Sequence, residues 1–175
     1  MRFRLRNVTP FVLCLGFFAL TASAQDFDFD GYYDPANWTT TGVGSVDTSG
    51  APASVTLIGP DAGSAADLDF TIEVPASGNF SFNWAYNSTD SPGFDHGGWL
   101  LNGVFTELSD TSGESGSVST PVSAGDIIGF SIVSDDGLFD PGTMTITNFS
   151  GPLVPEPASL GLLGAAGLLL ARRRR

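Results

Sequence analysis

The feature that most constrains the fold is a period of two. Across residues 54–149, run after run of sequence puts an apolar residue at every second position, and none carries a helical repeat of useful length. Residues 69–74 are the clearest case: Phe70, Ile72 and Val74 fall on one face, and Asp69, Thr71 and Glu73 on the other. In an extended chain successive side chains point to opposite faces, so one side of this segment is buried and the other is wet. Pro75, Ala76, Ser77 and Gly78 then supply a turn, and Phe80, Phe82, Trp84 and Tyr86 resume the alternation, which predicts a hairpin. The same pattern predicts strands over 27–32, 54–58, 98–108, 116–122, 127–133 and 143–149. Gly, Pro, Asn, Asp or Ser breaks it about every ten residues. The expected class is all-β: an antiparallel jelly-roll or CUB-like β-sandwich of about eight strands.

Charge narrows the partners. All 7 basic residues sit at the two ends, as Arg2, Arg4, Arg6 and Arg172 to Arg175, while 18 of the 19 carboxylates lie in residues 25–154. His96 is the one other side chain able to carry positive charge. Affinity for nucleic acid comes largely from Lys and Arg on phosphates, so a segment with neither is repelled by that polyanion. The cationic clamps of phosphoryl chemistry are missing for the same reason.

The ends read as addresses. Residues 1–24 combine a cationic start, an apolar run and the small residues Ala22 and Ala24, the pattern of a secretory signal peptide. Cys14, the single cysteine, falls inside it, so the exported chain has no disulfide and rests on its core. Residues 25–152 are long enough for one such core. Residues 153–175 hold Pro155, Glu156 and Pro157, then Ala158 to Ala171 without a charge, then Arg172, Arg173, Arg174 and Arg175. Those apolar residues make a helix of about 21 Å, a short membrane span with the arginines held on the cytoplasmic side.

That order of Pro-Glu-Pro, short apolar helix and arginine cluster resembles the PEP-CTERM sorting tail. The resemblance implies processing by an exosortase near Pro155, Glu156 and Pro157. It also implies transient anchoring in the inner membrane by the C-terminal helix, and delivery to the cell surface or extracellular matrix. The segments Phe82-Asn83-Trp84-Ala85-Tyr86 and Ala124-Gly125-Asp126-Ile127-Ile128-Gly129-Phe130 are similar to passengers that recur ahead of this tail. Ile132-Val133-Ser134-Asp135-Asp136 and Thr145-Ile146-Thr147-Asn148-Phe149 resemble the end of CUB-like sandwiches, although that family's cysteines are missing. The CUB-like resemblance sets Asp95 and Asp135 nearest its calcium-binding aspartates and puts their loops at one end of the sandwich.

Chemistry must come from carboxylates. Ca²⁺ takes six to eight oxygen ligands, and two loops rich in Asp, Asn, Ser and Gly offer Asp90 and Asp95 on one side and Asp135 and Asp136 on the other. Turns use the same residues without any metal. In residues 26–30, Asp26, Asp28 and Asp30 alternate with Phe27 and Phe29, which predicts a strand sending both phenylalanines into the core. Trp38, between Asn37 and Thr39, is the candidate exposed ring for stacking on sugar, whereas Trp84 and Trp99 fall on apolar faces. No catalytic residue is assigned, since no motif joins His96 to a nucleophile. The expected function is a non-enzymatic structural or adhesive component of the exopolysaccharide matrix, with extracellular polysaccharide as partner. The alternative is a calcium-dependent carbohydrate-binding module, and the third reading is a glycoside hydrolase.

Overall fold

The computed structural model describes residues 24–153. Residues 1–23 of the expected signal peptide, the Pro155-Glu156-Pro157 motif, the expected apolar helix and the terminal arginines lie outside the described residues, whereas Ala24 opens the first strand. Eleven strands follow in order: β1 (Ala24–Phe27), β2 (Thr39–Gly42), β3 (Ser45–Asp47), β4 (Ser54–Ile58), β5 (Ala66–Glu73), β6 (Gly78–Asn87), β7 (Asp95–Leu101), β8 (Val104–Ser109), β9 (Ser115–Val122), β10 (Ile127–Ser134) and β11 (Thr143–Leu153). One sheet has the order β3-β4-β11-β6-β9, with β1 also pairing β11, and the other has β2-β5-β10-β7-β8. All pairings are antiparallel. From β4 onward the chain changes sheet at every connection except β7 to β8, which is the winding of a jelly roll. Among the described residues no helix is long and apolar enough to cross a membrane.

The alternation of the sequence becomes the two faces of each sheet. In β5, Leu68, Phe70 and Ile72 are buried between Asp67, Asp69, Thr71 and Glu73, which face outward. In β11, Met144 and Ile146 enter the core, while Thr145 faces out and shares a 2.9 Å hydrogen bond with Thr56. Burying side chains such as these stabilises the fold by about 1.5–3 kcal/mol each, against the entropy of ordering them.

Three expectations are corrected. β5 and β6 do not form a hairpin: they belong to opposite sheets, and their apolar faces meet across the core rather than side by side. Residues 98–108 form two strands, because Asn102 and Gly103 take φ of +52° and +77° and fold β7 back on β8. That Asn-Gly pair is a strong hairpin signal. Residues 27–32 do not continue as a strand either. Asp28 has φ +67°, the chain turns, and Phe27 is left 66% exposed while Phe29 is buried.

The turn sends residues 28–38 into the open edge between the sheets. Short 3₁₀ turns at Gly31–Tyr33 and Pro35–Asn37, capped by the carboxylates of Asp30 and Asp34, present Tyr33 and Trp38 inward. Phe29 stacks on Phe149 with ring centroids 4.8 Å apart, and Trp38 lies flat over the cross-strand pair Phe70 and Phe130 at 4.6 and 5.7 Å. A Cβ at Gly151 would overlap the Tyr33 ring, so only glycine leaves that ring its place.

Candidate metal centre

The jelly roll brings the β6–β7 loop against the loop that follows β10. Asp135 N–H donates to Phe94 O at 2.8 Å, and Thr89 Oγ1 donates to Phe139 O at 2.7 Å. At this end Asp95, the first residue of β7, pairs with Ser134, the last of β10, and its side chain points between the sheets. Two absent side chains make room. A Cβ at Gly97 would strike the Tyr86 ring, and one at Gly142 would lie 2.7 Å from Tyr86 Oη and 3.1 Å from Asp95 Cβ.

Asp95 is 2% exposed. Its Oδ2 accepts from Ser88 Oγ at 3.1 Å, and the same Ser88 oxygen accepts from Asp90 N–H at 3.1 Å. Asp90 Oδ1 accepts from Ser91 N–H at 2.6 Å. The remaining oxygens, Asp95 Oδ1 and Asp90 Oδ2, are buried and have no hydrogen-bond partner among the described residues. Tyr86 donates to the backbone oxygen of Asp95 at 2.9 Å. Burial raises its phenol well above the ordinary tyrosine range, the Asp95 charge adds to this, and a hydrogen bond with Ser88 opposes it. The hydroxyl therefore stays a donor at neutral pH.

Buried acceptors are rarely left unpaired, because an unsatisfied one costs about 1–3 kcal/mol and a charged one more. The ordinary remedy, a Lys or Arg, does not exist anywhere in residues 25–154. Protonation of the acid is one other remedy and a hard cation is another; a donor set of carboxylate oxygens beside backbone carbonyls suits Ca²⁺. Of the four aspartates expected to bind metal, Asp90 and Asp95 share Ser88. Asp136 Oδ1 instead accepts from Leu138 N–H within its own turn, and Asp135 Oδ2 lies 4.0 Å from His96 Nε2. Ser88 and Tyr86, which hold the pair in place, carry no signal in the sequence because polar turn residues and strand aromatics are common.

Trp38 is a correction. It is 7% exposed, and its indole N–H donates to Tyr33 O at 2.9 Å, so it is a core residue unable to stack on sugar. An exposed aromatic does stand nearby: Tyr32, 41% exposed, borders an open cleft of about 550 Å³ with Asn37, Thr39, Thr71, Glu73 and Ile127. Tyr32 Oη donates to Glu73 O at 3.1 Å, and Asn37 Nδ2 donates to Tyr32 O at 3.0 Å, which fixes the ring at the rim.

Comparison with known proteins places residues 153–175 in the PEP-CTERM protein-sorting motif, so the chain carries that sorting tail, which implies an exported protein. No curated protein matches the chain. Solved structures similar to it include a family 29 carbohydrate-binding module (TM-score 0.45, 11% identity, covering 75% of this chain and 90% of that one). Another is TmCBM61, solved with β-1,4-galactotriose (TM-score 0.42, 12% identity, 68% and 90%). A third is a family 35 module from Clostridium thermocellum (TM-score 0.37, 8% identity, 70% and 97%). Scores and identities this low do not transfer a ligand.

Proposed function

We propose that the protein is an exported, non-catalytic surface module, a structural or adhesive component of the extracellular matrix, whose loop end takes up Ca²⁺ through Asp90 and Asp95. The observation that carries this reading is the Asp95 carboxylate, buried with one oxygen unpartnered in a passenger that lacks Lys and Arg. A dication there neutralises the buried Asp95 and the partly buried Asp90 and ties the β6–β7 loop in place. On so acidic a surface, divalent ions also bridge the protein to acidic polysaccharide or to other copies. Glycoside hydrolysis is disfavoured because it requires two carboxylates flanking a sugar. Asp95 is closed to solvent, and the Tyr32 cleft has Glu73 as its one carboxylate. Calcium titration of the purified protein by calorimetry tests the proposal. Saturable binding that is lost in Asp95→Asn supports it, and the absence of binding contradicts it.

A second reading, a carbohydrate-binding module, rests on Tyr32, whose exposed ring stands among polar groups as sugar stacking requires. Polysaccharide titration of Tyr32→Ala tests it: affinity equal to that of the unaltered protein removes the cleft from consideration.

A further inference from the structure

We infer that His96, Glu107 and Asp110 form a site for a borderline divalent cation of the Zn²⁺ class on the outer face of β7 and β8. The inference is independent of the calcium reading, because His96 follows Asp95 in β7 and so points to the opposite face of the sheet.

Three residues converge here because β8 carries a bulge. Gly98 pairs with Glu107, but Gly97 pairs with Ser109, so Leu108 is the extra residue. In a regular strand, positions 107 and 110 point to opposite faces; the bulge cancels that offset and brings both carboxylates to His96. Their ligand atoms all lie within 4.8 Å of one another. His96 Nδ1 is 3.4 Å from Glu107 Oε2, yet it is buried and makes no hydrogen bond among the described residues. That distance matches the spacing of about 3.4 Å between two ligand atoms on one tetrahedral Zn²⁺ with bonds of ~2.1 Å. Asp110 Oδ1 is steadied by a 2.8 Å bond from Thr111 Oγ1.

The other ring nitrogen completes the pattern. His96 Nε2 lies 4.0 Å from Asp135 Oδ2, so a proton on Nε2 faces a carboxylate and leaves the Nδ1 lone pair toward Glu107 and Asp110. Histidine ligands usually have such an outer carboxylate, which fixes the tautomer and the ring orientation. Asp135, expected from the sequence as a calcium ligand, thereby becomes the positioning residue of a different site. The mixed nitrogen and carboxylate set favours Zn²⁺ over Ca²⁺, which prefers oxygen throughout. Three protein ligands leave a fourth position for water, and Glu107 at the rim keeps the site open to solvent.

The test is Zn²⁺ titration of the untagged full chain, by calorimetry in the presence of excess Ca²⁺. The expected result is one Zn²⁺ per chain, weakened at least tenfold in His96→Gln and in Glu107→Gln and about tenfold in Asp135→Asn, with near-UV circular dichroism unchanged. The chain has one histidine, so its ring nitrogens are read without ambiguity by ¹⁵N NMR, and Zn²⁺ should shift Nδ1. Zn²⁺ affinity unaltered in a folded His96→Gln or Glu107→Gln variant, a shift at Nε2 instead, or displacement by Ca²⁺ would overturn the assignment.

Discussion

At the end of the sandwich closed by residues 28–38, the large polar side chains are satisfied within the chain. Tyr33 donates to Pro152 O at 2.8 Å, Trp38 donates to Tyr33 O, and both rings pack on Phe149. At the end where β6 hands over to β7, Asp95 and Asp90 bury carboxylate oxygens that no described residue meets with a hydrogen bond. One end draws its stability from aromatic packing and hydrogen bonds within the chain, with the small hydroxyl of Ser150 as its one buried side-chain group lacking a hydrogen-bond partner among the described residues. The other holds its acids by Ser88, Tyr86 and the omitted side chains of Gly97 and Gly142, and then stops short of neutralising them. A core can be complete at one end and depend on a ligand at the other, and substitutions at the two ends should separate these behaviours.

The largest effect is expected at the aromatic end. Trp38→Ala should cost about 3–5 kcal/mol in denaturant unfolding, since it empties the space over Phe70 and Phe130, and should do so equally with and without Ca²⁺. Tyr86→Phe comes next. It leaves the Asp95 carbonyl without its donor at a cost of about 1–3 kcal/mol, and its unfolding midpoint should become more dependent on Ca²⁺ than that of the unaltered protein.

Alkali should weaken both ends together. Burial, with smaller contributions from Tyr32 and Asp26, raises the phenol of Tyr33, as burial raises that of Tyr86. Below the ordinary value of 10.0 both phenols are protonated whether the chain is folded or not. Above it the unfolded chain ionises first, so stability falls as pH climbs. Chemical denaturation across that range should show the decline, and the Tyr33→Phe, Tyr86→Phe double variant should flatten it. The smallest effect belongs to the turn at Asp126, whose carboxyl is held below its ordinary 3.8 by Asn102 Nδ2 and Ser123 N–H. Its contribution is present above 3.8 and lost as pH falls through the depressed value, so Asp126→Ala should remove a slight acid-side slope in the unfolding midpoint.

The sequence makes the strands legible wherever burial is one-sided. The predicted strand at 54–58 coincides with β4, and those at 127–133 and 116–122 fall within one residue of β10 and β9 at each end. Alternation reports which face of a strand is buried, not which sheet lies beside it, so β5 and β6 looked like a hairpin when they face each other across the core. Trp38 was misplaced for a related reason. It follows a 3₁₀ turn with no periodic neighbours, and its burial is decided by Phe70, Phe130 and Phe149, all distant in sequence. Loop composition singled out Asp90, Asp95, Asp135 and Asp136 together but not that Asp90 and Asp95 share Ser88, and the gathering of His96, Glu107 and Asp110 depends on a bulge that composition does not encode.

The most direct test compares thermal unfolding of the unaltered protein and Asp95→Asn, each with Ca²⁺ and with chelator. An unpaired buried charge destabilises and a cation-bound one does not, so the two proteins should exchange rank. The unaltered protein should be the more stable in Ca²⁺, and Asp95→Asn should equal or exceed it in chelator. A melting temperature of the unaltered protein that chelator leaves unchanged would contradict the claim that this end of the fold is completed by a cation.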